Sequence, residues 1–312
     1  METTVKQINA YLVDADTIFI NPRSTPISKV PKMVYGNKPT DDGNFFLKAD
    51  EYDDFIAKEP NAIKYIRKIF GAEEYINNKT RYCLWFVDAE PSELKKMPFV
   101  MERIEKVKKF RLASTKEATR ESAKTPALFQ EIRQPKKDYI IIPRVSSENR
   151  VYIPIGFVSS DILVNDSVTI LPDAGIYDFG LLTSSMHMAW MKYVCGRLKS
   201  DYRYSNTLAY NNFPFPNPTE KQKSEIEKSA QTVLDARSQY PNSSLADLYN
   251  PLTMPKEILK AHQKLDKAVE AAYGKTFTTD ADRVAHLFHL YQSTTEGLFA
   301  GKSKSANKKS KQ

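Results

Sequence analysis

Apolar residues follow two regimes along this chain. Up to about residue 216, short apolar and β-branched runs are separated by breaks rich in Pro, Gly, Asn and Asp; beyond it they recur at helical spacing. In the first regime, residues 8–20 predict a strand entering a loop at Asn21-Pro22-Arg23, and residues 25–44 a long shaped loop. Ile63, Ile66 and Phe70 predict a helix over 50–70, with Pro60 in a first turn and Gly71 as its stop. Residues 81–87 are continuously apolar and aromatic, as in a strand buried on both faces. Residues 99–111 read as an amphipathic helix. Residues 139–145, 150–157 and 167–171 read as three strands, the first two joined by Ser146-Ser147-Glu148-Asn149. Leu182, Met186, Trp190, Met191, Val194 and Leu198 line most of the circumference of a helix over 177–198, which should therefore be buried. In the second regime, single apolar stripes predict three antiparallel helices over 217–240, 255–273 and 278–292. The fold class expected is α+β: a mixed, β-rich domain with inserted helices over 1–216, a small antiparallel helical domain over 217–300, and a disordered basic tail over 301–312.

Composition narrows the function classes. With 312 residues and 41% apolar side chains, the chain can form proper cores. No apolar run approaches the roughly eighteen residues of a membrane span, and the amino terminus lacks a secretory block, so a cytoplasmic location is expected, with no membrane partner. Cys83 and Cys195 each lie in an apolar segment and read as buried free thiols. The net charge of +8 is unevenly spread. Five lysines in 302–312 account for much of it, while residues 95–137 hold thirteen Lys and Arg against five Glu. That segment is a candidate phosphate-facing surface, with Lys116 and Arg120 among its candidate backbone contacts; a solvated helix face is the bland alternative.

The densest chemistry lies in 198–216, Leu-Lys-Ser-Asp-Tyr-Arg-Tyr-Ser-Asn-Thr-Leu-Ala-Tyr-Asn-Asn-Phe-Pro-Phe-Pro. Donors and acceptors of these types can read base edges and hold phosphates. A polar loop that merely turns the chain is the alternative. Catalytic signatures are missing: there is no Gly-rich phosphate loop, no Ser-His-Asp order and no Cys/His metal spacing. Asn21-Pro22 is followed by Arg23, which rules out the base-holding motif of adenine methyltransferases. Asp88, Glu93 and Lys95 have the look of a metal-dependent nuclease core, but Pro91-Ser-Glu-Leu is a helix start where such a core needs a strand. His187 reads as a core histidine, and His286 with His289 as helix packing.

Residues 196–206 and 210–216 closely resemble a segment of the MmeI-like (type IIL) restriction-modification enzymes. So do 31–39, 82–86, 143–147 with 152–157, and 244–254. The likeness covers nearly all of the chain and only the carboxy-terminal part of the family, its target-recognition domain and the helical domain after it. It implies a non-catalytic module that recognises double-stranded DNA. The partner would be an adenine-N6 methyltransferase, with or without a nuclease, as a domain or subunit. No cofactor or metal is expected in this chain, and S-adenosylmethionine would be held by the methyltransferase part. The resemblance also implies that Lys199 and Asp201, at the exit of the buried helix, read one base pair, Lys199 donating to guanine and Asp201 accepting from cytosine N4. Arg144, Asn165 and Asp166 fall where the family varies its base-reading residues. Arg203, Tyr204, Ser205 and Asn206 are assigned to backbone grip or loop support, and Ser146, Ser147 and Arg150 to backbone contacts. A scaffold that bridges methyltransferase and nuclease without reading bases is the alternative.

Overall fold

The predicted helix over 50–70 breaks at Glu59, because a residue before proline is disfavoured in the α region; Glu59 sits at φ −137°, ψ 69°. The computed structural model describes residues 8–12 and 18–309, with side chains described through 296. In chain order the elements begin with β1 (Val34–Tyr35), β2 (Phe46–Lys48), α1 (Tyr52–Lys58), β3 (Ile66–Phe70), α2 (Ala72–Asn77), β4 (Arg81–Leu84), α3 (Pro91–Leu94), α4 (Pro98–Leu112) and α5 (Glu117–Glu121). There follow β5 (Tyr139–Pro143), β6 (Val145–Ser146), β7 (Gly156–Val158), β8 (Leu163–Val164), β9 (Val168–Leu171), α6 (Ile176–Leu182) and α7 (Ser185–Val194). The last are β10 (Arg197–Leu198), β11 (Asp201–Arg203), α8 (Glu220–Ser238), α9 (Leu245–Leu248), α10 (Lys256–Ala272) and α11 (Asp280–Lys309). The fold is α+β, as expected. Two compact units are present: Met1–Met33 with Arg144–Gly156 and Asp173–Gln312, and Val34–Pro143 with Phe157–Pro172. Among the described residues no helix is long and apolar enough to cross a membrane.

The second of these units holds two four-stranded sheets, ordered β1-β9-β5-β7 and β2-β4-β3-β8. Strand β3 corrects the helix expected there. It pairs antiparallel with β4, Ile66 opposite Leu84, and parallel with β8, Ile69 opposite Leu163. Both of its edges are hydrogen-bonded, and this ladder overrides the helical spacing of Ile63, Ile66 and Phe70, whose first member stays 55% exposed. Gly71, expected as a helix stop, instead precedes α2 as its N-cap. The expected loop over 25–44 contains β1, and within it Gly36 is required. A Cβ there would lie 2.2 Å from the Asn165 carbonyl oxygen, so only glycine lets the two backbones approach. The expected strand 150–157 is confined to β7.

Helix α4 buries Val100, Ile104 and Val107 against Phe45, Leu47 and Phe86, and it also buries Arg111 completely. That guanidinium donates to five backbone carbonyls, those of Pro39, Thr40, Ser122, Thr125 and Leu128, at 2.7–3.3 Å. One member of the basic run is therefore a structural clamp rather than surface charge.

In the first unit, residues 10–12 form a turn in which the Leu12 N–H donates to the Asn9 carbonyl, in place of the strand expected over 8–20; residues 13–17 lie outside the described residues. The helix expected over 177–198 is two helices, α6 and α7, because Ser184 caps a new start with its side chain accepting from the His187 N–H. Gly180 lets α6 approach closely: a Cβ there would meet Ile226 at 3.0 Å and Ala230 at 3.1 Å. The three C-terminal helices form as expected. Thr219 caps α8 in a reciprocal arrangement with Gln222. Contacts of Gln222 with the Ala271 carbonyl and of Tyr240 with Glu257 show α8 and α10 to be antiparallel. Helix α11 packs on α7, with the Phe288 and Tyr291 rings 5.5 and 6.1 Å from Trp190. The expected disordered tail, 301–312, falls partly on the backbone of α11 and partly on residues 310–312, which lie outside the described ones.

Candidate nucleic-acid interface

Helix α7 ends at Val194, where Cys195 leaves the helical region at φ −86°, ψ 152°. Lys199 and Asp201 therefore do not sit at a helix exit. They lie on a hairpin of β10 and β11, in which Leu198 pairs with Asp201 and Lys199-Ser200 forms the two-residue turn. Such a turn needs positive φ at its first position or at both. Lys199 supplies it, at φ 55°, a region that L-residues enter at a cost of roughly 1–3 kcal/mol. The side chain is exposed at the tip.

Strand β11 also pairs with β6, completing a three-stranded sheet ordered β10-β11-β6, with Tyr202 opposite Ser146 and Arg203 opposite Val145. The two-residue period then sorts the side chains. Tyr202 turns inward, while Asp201 is half-buried and Arg203 exposed on the other face. Arg197 lies 4.0 Å over the Tyr202 ring and donates to the Ser200 carbonyl, bracing the turn. Asp201 Oδ1 accepts the Glu148 N–H at 3.3 Å, and Arg150 donates to Ser146 Oγ at 3.3 Å. Burial lowers the Arg150 pKa, opposed by the nearby Asp201 charge. Arg144, half-buried at the head of β6, accepts the Tyr204 N–H with its carbonyl at 2.8 Å.

Several residues of the polar stretch serve support and not grip. Tyr204 is buried, its hydroxyl 2.9 Å from His187 Nε2, and Ser146 is buried beneath Arg150. Asn206 donates to the Met33 carbonyl, Asn211 to that of Arg23, and Asn212 to those of Asn21, Thr207 and Leu208. These amides fasten residues 21–33 to the segment after the hairpin. Ser205 caps a single π turn, Asn206–Tyr210. Tyr204, Asn206 and Ser146 are thereby removed from direct phosphate contact, because the polar atoms that suggested it are turned into the interior.

Asn165, Asp166, Lys116 and Arg120 belong to the other unit. Asn165 Oδ1 accepts from the Ser167 N–H and hydroxyl at 2.9 and 2.6 Å, which shapes the corner. Lys116 is exposed, and Arg120, also exposed, donates to the Ser114 and Thr115 carbonyls. Glu93 pairs with Lys64 at 2.7 Å and accepts from Tyr65, while Asp88 and Lys95 are exposed. Among the described residues no group of three His, Cys, Asp or Glu could hold a metal. Cys83 is a buried free thiol and Cys195 a half-buried one, its pKa pushed up to about 12 by desolvation. His187 is buried, and desolvation lowers its pKa to about 3. His286 packs against Tyr273 and Phe277.

A buried network that no local sequence pattern signals lies behind the 144–156 segment. Tyr152 donates to Asp266 Oδ2 at 2.6 Å, and Asp266 Oδ1 accepts the Ser185 N–H at 2.7 Å. Arg237 donates to the Ile155 carbonyl and to the Tyr249 hydroxyl, both at 2.5 Å, and that hydroxyl lies 2.8 Å from His262 Nε2. The Tyr152 ring stacks on His262 with centroids 4.0 Å apart. Only the tertiary fold brings these five side chains together.

Comparison with known proteins places the chain beside one family. The family described as MmeI, target recognition domain, matches residues 14–217, and MmeI, C-terminal domain, matches residues 218–299. DNA methyltransferase A of Bacillus subtilis (strain 168) is 43% identical over 293 residues, which are 94% of this chain and 33% of that protein. The solved structure of the type IIL restriction-modification enzyme MmeI in complex with DNA is similar at 52% identity and a TM-score of 0.91, over 94% of this chain and 39% of that one. The chain thus spans between a third and two fifths of the length of these relatives.

Proposed function

The chain belongs to the MmeI family, in its target-recognition and C-terminal portion, and on that premise we propose that it is the DNA-specificity module of a restriction-modification system. It recognises a double-stranded DNA site and presents it to an adenine-N6 methyltransferase part, which binds S-adenosylmethionine and takes the target base out of the stack. The module does no chemistry by itself. In the linear order, residues 1–216 form the recognition domain and 217–300 the helical domain that supports it.

The observation that carries this reading is the hairpin tip. Lys199 is held exposed on a strained turn, Asp201 follows on the paired strand, and Arg203 lies on the same strand face as Asp201. A narrow β-hairpin fits the major groove, where a lysine donates to guanine and a carboxylate accepts from cytosine N4. Lys199 and Asp201 then read one base pair, with Arg144 as a further reader. Arg203, Ser147 and Arg150 hold the backbone. Asn165 and Asp166 in base readout, and Lys116 and Arg120 at the phosphates, extend the assignment to the second unit.

A gel-shift titration of the 312-residue chain, alone and joined to its methyltransferase part, tests the reading. Binding of duplex DNA that weakens linearly in log K against log salt is expected. Absence of salt-dependent binding in both forms would overturn it in favour of a bridging scaffold.

A further inference from the structure

Leu252 is 93% exposed, the most exposed large apolar side chain described; a lone exposed leucine is ordinary on a protein surface, and what distinguishes this one is the turn that holds it. It is not on a slack loop. Its N–H donates to Asn250 Oδ1 at 3.0 Å, the Thr253 and Met254 N–H groups donate to the Asn250 carbonyl, and the Thr253 hydroxyl donates to the Asp247 carbonyl at 2.7 Å. The turn is built to hold a leucine out.

That turn forms one wall of a cleft of about 670 Å³, whose opposite wall is Ser147, Asn149 and Arg150. The buried network fixes both walls at once. Tyr249, one residue before Asn250, bonds to Arg237 and His262; Arg237 also holds the Ile155 carbonyl, and His262 stacks on Tyr152, two residues past Arg150. The separation of the walls is set by side chains that cannot relax without losing buried hydrogen bonds. The wall of Ser147, Asn149 and Arg150 is continuous with the reading sheet, because the Glu148 N–H donates to Asp201. Asp247, the acid among the described lining residues, spends a carboxylate oxygen on its own helix start, accepting from the Ser244 hydroxyl at 2.6 Å.

We propose that the DNA-binding surface extends into this cleft, its far wall contributed by the C-terminal region, so that a sugar-phosphate strand lies between the walls and Leu252 presses against sugar and base edges. The inference rests on the reading that the chain binds duplex DNA. Hydroxyl, amide and guanidinium donors supply the phosphate contacts. A single apolar side chain on a polar rim suits a nucleic-acid groove, where leucines act as wedges, better than a protein partner, which calls for a contiguous apolar patch. In this arrangement the C-terminal domain is more than a support: it touches the substrate.

The test places a photo-cross-linking p-benzoylphenylalanine at position 252, and separately at position 199, in the full chain and irradiates it with a random-sequence duplex pool. Cross-links to DNA from both positions are expected. DNA cross-links from 199 but not from 252 would overturn this proposal and leave the reading of the hairpin intact; none from either would overturn both. Because Leu252 is exposed, Leu252→Ser folds normally, and it is expected to weaken duplex binding about tenfold with an unchanged salt slope, an apolar contact releasing no counterion. Unchanged affinity in Leu252→Ser would also overturn the proposal.

Discussion

Asp201 accepts the backbone N–H of Glu148 at 3.3 Å, so the acidic member of the hairpin couple is tied to the loop that carries Ser147 and Arg150. A carboxylate has about four acceptor sites, and this bond leaves capacity for a base. Lys199 instead stands exposed on a positive-φ turn. The two charges are held differently: the acid is pre-aimed, and the lysine is displayed.

Exchanging them, Lys199→Asp with Asp201→Lys, is expected to change the preferred base pair at one position of the recognised site and to leave the rest unaltered. Discrimination at that position should be about 1–3 kcal/mol, the worth of one good base contact. Selection from a randomised duplex library by the chain joined to its methyltransferase part measures it. Retention of the original base pair would contradict the assignment.

Arg203 is exposed on the same sheet and has no place in the core. Arg203→Gln should weaken binding uniformly across sequences and reduce the salt slope by about one counterion. A change in base preference would instead make it a reader.

Arg111 gives a stability prediction in the other unit. Arg111→Met strands five carbonyls that a guanidinium now satisfies, and is expected to cost about 3–5 kcal/mol, read as a lowered urea midpoint. Arg111→Lys should recover little of it, since an ammonium lacks the planar fork of donors.

Acid should loosen the unit that carries the hairpin. Desolvation lowers the His187 pKa to about 3, and His262 is lowered well below its usual 6.5, by desolvation first and then by the Arg237 charge. Both histidines bind protons more readily when unfolded, so stability falls as pH drops below about 6.5, by up to about 1.4 kcal/mol per pH unit for each proton. Asp266 acts in the opposite sense. Desolvation raises its pKa, so its contribution favours the fold at the acid end and is lost as pH rises through the window just above 3.8. Denaturation midpoints between pH 7 and 4 test the sum, and His187→Gln should flatten the slope.

The recurring apolar positions already determined the three C-terminal helices, the core role of His187 and the burial of the 177–198 region up to Val194; Leu198, expected on the same buried helix, is 51% exposed on the hairpin instead. In each case a local pattern and the burial it demands point the same way. Family resemblance singled out the stretch proposed to read DNA. What the chain could not reveal was which polar side chains face outward. Tyr204, Asn206 and Ser146 are hydrogen-bonding side chains in the same polar stretches as Arg203 and Lys199 or paired with them, and only the tertiary structure buries the first three and leaves the last two exposed. Strand β3 was hidden for a related reason, since its pairing partners lie about sixteen and about ninety-four residues away along the chain and outweigh a helical spacing over eight residues. The cleft beside Leu252 belongs wholly to the tertiary structure, because its two walls are about a hundred residues apart and meet only through the buried bonds of Arg237, Tyr249 and His262.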